Sequence, residues 1–599
     1  LRWIAEGARF EVPGRPSVSI HVEPRQRIVV SNSTQQLRVL ATDASGRTWC
    51  VTAEAEYESN NEVIAGVDSR GLVTASEVPG EAAILVRYMG HVAASRIIRP
   101  QEHVRVSRPP EQNFIDGHVW DRLTELGIPP SPLCNDTTFL RRVHLDTIGT
   151  FPSVKEVRAF LADKRPDKRK QLVTRLLDRP EYADYWTMKW ADVLRVDNMK
   201  LSPQVTVAIT RWLRQQMLEN TAYDRFAREI VTVRGNTRSE TPAAVYTVLN
   251  SPEAIARSVS QLFLGVRIEC AQCHHHPFEK WAQRDYFALA GFFTGVKRDG
   301  APGGGQKITD VAGPDLKHPR SGEVVPAAGL GGDPITLKDP TGRRRAFSDW
   351  MTAAENPFFA RTIANRLWAH YFGRGLVEPI DDHRATNPAS NEKLLRALTS
   401  QLREQNYDLK AFTRTLLASR AYQLASSSLP DNELDSQNYS HATQKALPAE
   451  VLLDAICQAT GVPERFNGWP IGSRAIEIWD NRLPSYFFRI FGRPQRVSVC
   501  ECERGNEPSI AQALHLMNSP ESFYKIRHRD GRAAHLAKSG LTDQQVIDEL
   551  FLATVSRPAT VQERKLMLVA FRETAGNRRA AVEDVLWTLL NTKEFLYNH

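Results

Sequence analysis

Cysteine is scarce in this chain: seven residues in 599, too few for a disulfide-stapled scaffold. Long apolar runs are missing too. No stretch approaches the roughly 18 apolar residues that a membrane-spanning helix needs, so no membrane span is expected. Lys and Arg exceed Asp and Glu by only 77 to 69, a formal charge of +8, and they form no dense basic block. A nucleic-acid partner is therefore not expected. There is no P-loop, dinucleotide fingerprint, nucleophile elbow or HExxH helix, and no repeat of solenoid period. The chain opens at Leu1 without Met and without a basic-then-apolar leader. It is expected to be a processed or truncated product whose export signal lay upstream.

What is present is an ordinary globular composition, 42% hydrophobic and 24% charged, at a length that calls for several cores. Residues 18–100 show short alternating apolar runs (VSIHV, QLRVLAT, AAILVRY) broken by turn signals such as Asp68-Ser69-Arg70-Gly71. They predict an all-β sandwich. A Pro-containing linker follows. From residue 111 the period becomes helical, in VKEVRAFLAD, RKQLVTRLLD and DYWTMKWADVLRV, with Ser153 and Asp167 as expected N-caps. Residues 297–345 are rich in Gly and Pro and read as a long irregular connection. Helical spacing resumes over 346–599. The expected chain is multidomain: residues 1–17 as the tail of an upstream domain, a β-sandwich over 18–100, helical domains over 111–296 and 346–599, and the loop between them.

The sharpest chemical signal is Cys270-Ala271-Gln272-Cys273-His274. Two thiols at this spacing can add to the two vinyl groups of one haem, and the next residue places an imidazole on its iron. Chance is a weak rival: this composition gives roughly 0.002 random matches to the pattern. The same donors have other uses. They can hold zinc, iron or copper, or the two thiols can close as a disulfide. His275 and His276 follow directly; His275 reads as a solvated loop residue, and His276 as a further ligand or a hydrogen-bond donor to a cofactor. Candidates for a sixth haem ligand are His370, His383, His515 and Met517, each also at home as an ordinary core or surface residue.

Two further groups stand out. Cys500-Glu501-Cys502 can join His274 and His276, or Cys270 and Cys273, in a metal site, close as a strained disulfide, or be two buried thiols on one face of a strand. Asp381-Asp382-His383-Arg384 offers acid/base chemistry, or a surface ion-pair cluster at a helix end. Trp281, Trp368, Tyr371 and Phe372 can line a cofactor or sugar site, although core packing is the commoner use.

Several of these segments resemble a known family. FIDGHVWDRL, FLRRVHLDTIGTFPS, YWTMKWADVLRV and the stretch ending CAQCHHHPFEKWAQRDYFALAGFF are similar to the planctomycete-type cytochrome-c-like domain. Its CxxCHxHPF core falls on Cys270, Cys273, His274, His276, Pro277 and Phe278, followed by Trp281. His275 stands where the family more often has Asn or Asp. NPFFARTIANRLWAHYFGRGLVEP and FGRPQRVSVCECERGNEPSIAQALHLMNSPE resemble the companion C-terminal domain, and residues 18–99 resemble a bacterial immunoglobulin-like domain of group 2. The resemblance implies an exported, periplasmic or otherwise extracytoplasmic protein and gives no biochemical activity, and the c-type haem rests on the CxxCH motif alone. The cysteine motif itself, with a haem on His274, suits electron transfer with an upstream cytochrome domain or another redox protein, or oxidation of an extracellular substrate such as a polysaccharide. Whether the chain is an enzyme stays open. The alternatives are a metal-dependent enzyme acting on polysaccharide and a non-catalytic adhesion or scaffold protein.

Overall fold

The structure is a computed structural model. It describes residues 19–599 apart from His103, Pro277, Phe278, Pro302, Gly303, Lys338, Ala385, Glu501, Cys502, Asn506 and Ala575. Residues 1–17, expected to be the tail of an upstream domain, lie outside the described residues.

A strand-rich domain comes first, as the alternation predicts. Its strands are β1 (Ser19–Glu23), β2 (Gln26–Ile28), β3 (Thr34–Gln36), β4 (Arg38–Thr42), β5 (Thr48–Cys50), β6 (Glu56–Ser59), β7 (Ala65–Val67), β8 (Leu72–Ala75), β9 (Gly80–Tyr88) and β10 (His91–Arg99). They form sheets of order β1-β4-β5, β2-β10-β9-β6 and β3-β8-β7. Period-two alternation buries Val39 and Ala41 of β4 and Ala82, Ile84 and Val86 of β9 in one apolar core. The last strand serves two cores. Ile97 points into the sheet domain and its neighbour Ile98 into the helical body. Polar contacts close the same junction: Glu81 pairs with Arg96 at 2.7 Å and also with Arg122, and Gln26 donates to Glu125 at 2.8 Å.

The helical body has one continuous apolar core, running from Ile115 to Phe595. Residues far apart in sequence are tied through it. Arg141, fully buried, donates to the carbonyls of Thr554, Glu594 and Phe595. Arg142 does the same to Tyr422 and Leu424.

Helix starts follow local chemistry. Ser153 caps Val154–Ala162 through a reciprocal pair with Glu156: its hydroxyl accepts from the Glu156 N–H, and the Glu156 carboxylate accepts from the Ser153 N–H. Asp167 holds the N-cap position of Lys168–Leu177, but its side chain makes no cap bond to the backbone; it accepts from Gln171 instead. Ser153→Ala is therefore expected to cost about 1 kcal/mol, read as a lower denaturation midpoint. Asp167→Ala should change the midpoint little.

The Gly/Pro-rich connection is less irregular than its composition suggests. Val296–Gly300 and Gln306–Asp310 form a hairpin, and Gly235–Asn236 adds a third strand. Buried Arg344 locks it in place, bonding Asp310 at 2.6 Å and the carbonyls of Val231 and Val233. Glycine at the hairpin tip hid the strands, because Gly304 and Gly305 both need positive φ there. No helix among the described residues is long and apolar enough to cross a membrane.

Candidate functional site

The cysteine motif is reached through a distorted helix end. Pro252–Val259 runs into a π turn, Ser260–Leu264, which Gly265 closes at φ +64°. A short 3₁₀ turn, Glu269–Gln272, then carries Cys270. Buried Ala271 anchors this turn while Cys270, Cys273, His274 and His275 all face solvent. Both thiols are free. The Nδ1 of His274 lies 2.6 Å from the carbonyl oxygen of His275. A carbonyl can only accept, so Nδ1 carries the proton and donates, which leaves Nε2 with its lone pair directed away. His276 turns inward. Its backbone N–H donates to the Trp281 carbonyl at 2.9 Å, and the residue is 9% exposed. Burial and the Arg384 cation hold the His276 imidazole below its usual range, against the opposing pull of Glu279 and Asp382.

The tetrad Asp381–Arg384 meets this loop from the other half of the chain. All of Asp381, Asp382 and His383 are buried, so the expectation of a surface ion-pair cluster at a helix end does not hold. Asp381 accepts from Gln261 Nε2 at 2.6 Å and from both Nε (3.1 Å) and NH2 (2.5 Å) of Arg267. Arg267 stands three residues before Cys270, so the carboxylate fixes the approach to the motif. Asp382 pairs with Arg384 at 2.9 Å, and burial raises its carboxyl above the ordinary range. His383 packs against Gly265, whose carbonyl accepts its backbone N–H at 2.7 Å. Among the described residues neither of its ring nitrogens has a hydrogen-bond partner, and burial with Arg361 and Arg366 nearby pushes its pKa down to about 3. His383 is therefore a neutral packing ring, a poor general acid or base at neutral pH.

Beside this junction lies a cleft of about 750 Å³. Arg267, Asp381 and Cys500 line it, so two of the predicted groups, the tetrad and the Cys500 segment, meet beside the residue that leads into the cysteine loop. Of the tetrad, Asp381 alone lines the cleft. Cys500 is disulfide-bonded and sits in an irregular segment, not on a strand. In this state it offers no thiolate to a metal. Cys502 lies outside the described residues. Among the described residues no three His, Cys, Asp or Glu side chains are grouped to hold a metal ion. His274 points to solvent and His276 into the body, which separates the expected ligand set.

The remaining candidates are spread through the fold. His370 is half-buried with Nε2 2.7 Å from the Asp146 carbonyl and its ring on Trp186 at 4.9 Å. His515 packs among Tyr486, Phe487 and Phe491. Met517 is 41% exposed. Trp281 packs in the core against Phe358, and Trp368 stacks on Phe372 at 3.7 Å. These aromatics serve packing.

The donors at the loop fit covalent attachment of a haem: two free exposed thiols, then an imidazole whose Nδ1–H is engaged and whose Nε2 is available. Sequence reasoning missed Arg267, Gln261 and Glu279, which support this loop. Only Arg267 carried a signal, its place three residues ahead of the first cysteine. It also missed the Asp146–Lys445 pair deeper in the cleft, 2.5 Å apart, because 299 residues separate the two.

Comparison with curated proteins gives no match. Residues 114–298 match the family model PSCyt2, a protein of unknown function (DUF1549), and residues 343–571 match PSD1, a protein of unknown function (DUF1553). The first segment holds the cysteine loop, and the second holds the Asp381–Arg384 tetrad and Cys500. Over these two segments the chain is similar to the PSCyt2 and PSD1 families, in that order.

Proposed function

We propose that the chain is an extracytoplasmic c-type haem protein that exchanges electrons with another redox protein or an upstream cytochrome domain. The observation that carries this reading is the state of the loop: Cys270 and Cys273 free and exposed, with the Nδ1–H of His274 engaged by a carbonyl so that Nε2 is available. Haem, when bound, supplies a one-electron couple. The chain's own part is to hold and aim the attachment residues. Ala271 and Trp281 bury the back of the loop, the His276 N–H ties it to the Trp281 carbonyl, and Asp381 clamps Arg267 at its entry. Because the attachment residues face solvent, a protein partner can reach them, which favours electron exchange over chemistry in a closed pocket.

The test is expression of the whole chain in a periplasm that carries the cytochrome c maturation machinery. Denatured protein should keep a covalently bound haem, seen as a Soret band and a pyridine haemochrome spectrum. Cys270→Ala combined with Cys273→Ala should reduce this to background, while His274→Ala should keep covalent haem but shift its spectrum. A folded, exported wild-type chain without covalent haem would sink the reading.

A further inference from the structure

The cleft of about 750 Å³ is within the size range of small-molecule sites. Its walls come from both matched segments and from the chain end, where Tyr597 and Asn598 close one side. Among the described residues ten charged side chains line it, five of each sign: Lys189, Arg267, Arg374, Lys445 and Arg504 against Asp146, Asp192, Glu378, Asp381 and Glu503. Three of the cations are already matched to carboxylates in place. Arg267 holds Asp381 at 2.5 Å, Lys445 holds Asp146 at 2.5 Å, and Arg504 holds Asp192 at 2.6 Å. Lys445 also donates to the carbonyls of His370 and Tyr371, which uses its three protons. It is thus a structural ammonium, not a nucleophile.

Such a lining has consequences for what enters. A phosphorylated or sulfated ligand needs cations that are not neutralised on site, and a cationic ligand needs the reverse. Among the described lining residues neither sign is in excess. The cleft offers many donors and acceptors close together, since a paired carboxylate keeps lone pairs and a paired guanidinium keeps N–H groups. Between them lie apolar surfaces from Leu145, Tyr185, Ile380, Pro379 and Val451. A ligand whose hydroxyls both donate and accept, on a ring with apolar C–H faces, matches that alternation.

We infer that this cleft binds a neutral polyhydroxylated molecule, a saccharide of two or three rings, across the junction of the two domains. The inference does not rest on haem attachment. Binding is read on the protein whether or not it carries haem, and the haem spectrum is read without sugar, so either idea can fail alone.

The test is calorimetric titration of the whole chain with cellobiose, maltose, xylobiose and mannobiose, and with glucuronate and inorganic phosphate as charged probes. At least one neutral disaccharide should bind saturably with Kd of about 1 mM or tighter, and both charged probes should bind at least tenfold more weakly. Asp381→Asn should weaken the sugar at least tenfold. Arg374→Ala, at the half-buried cleft edge, gives a second reading if Asp381→Asn fails to fold, with a several-fold loss expected. Saturation by none of the four sugars, tighter binding of glucuronate or phosphate, or sugar binding unchanged in the folded variants would overturn the inference.

Discussion

Glu450→Ala is expected to destabilise the helical body by about 3–5 kcal/mol, the cost of breaking a buried ion pair from one side. Glu450 is fully buried. Its carboxylate accepts from Arg493 Nε at 3.1 Å and from Arg504 NH1 at 2.5 Å. Arg504 continues to Asp192 at 2.6 Å, and Asp192 accepts from Arg496 at 3.0 Å. Three guanidinium groups thus share two carboxylates, and losing one carboxylate leaves Arg493 buried against carbonyls alone. The effect must also depend on pH. The Arg504 and Arg493 charges outweigh burial and hold the Glu450 carboxyl below its ordinary 4.5. A depressed carboxyl stabilises the native state fully above the ordinary value, and that contribution is lost as pH falls through the depressed one. Urea denaturation at pH 7 should show the full gap between wild type and variant, and the gap should narrow as pH drops below about 4.5. A gap under about 1 kcal/mol at pH 7, or one that does not narrow in acid, would show that this network is not what holds the cleft wall.

Gly265→Ala should cost about 3 kcal/mol, from two causes acting at one atom. Gly265 has φ +64°, a conformation that a Cβ makes unfavourable. That Cβ would also lie 2.3 Å from His383 Cδ2 and 2.7 Å from Thr362 Oγ1, so the buried ring must move. His383 adjoins Asp382 and Asp381, and Asp381 holds Arg267. The substitution should therefore loosen the tetrad and the entry to the cysteine loop together, seen as faster amide exchange over residues 381–387 and 266–274. Combining it with His383→Ala separates the two causes. Removing the ring should recover part of the loss, a coupling measurable in a double-mutant cycle, while the backbone cost remains. Strict additivity of the two substitutions would mean that the ring contact carries none of the effect.

Much of the architecture was legible because it rests on local chemistry. Alternation over residues 18–99 and helical spacing afterwards are properties of neighbouring residues, and the Ser153–Glu156 cap needs only a spacing of three. The strands at 296–310 were not legible. Their pairing with Gly235–Asn236 and their anchor at Arg344 are long-range contacts, and the glycines that permit the turn resemble a loop in composition. Trp281 and Trp368 looked equally fit for a pocket or a core, since an aromatic side chain suits both and only burial decides.

The site divides along the same line. The sequence by itself determined which groups can react: two thiols and an imidazole at 270, 273 and 274, whose spacing is a covalent property of the chain. It also determined that carboxylates and a histidine stand together at 381–384. Tertiary structure decided everything that depends on distance across the chain. It brought Asp381 to Arg267, put Cys500 in a disulfide beside them, buried His383 as a neutral ring, and opened a cleft lined by charges of both signs between segments far apart in sequence. The physical reason is that reactivity belongs to a residue type, whereas protonation, pairing and access belong to its surroundings, and those are set by packing between distant parts of one core.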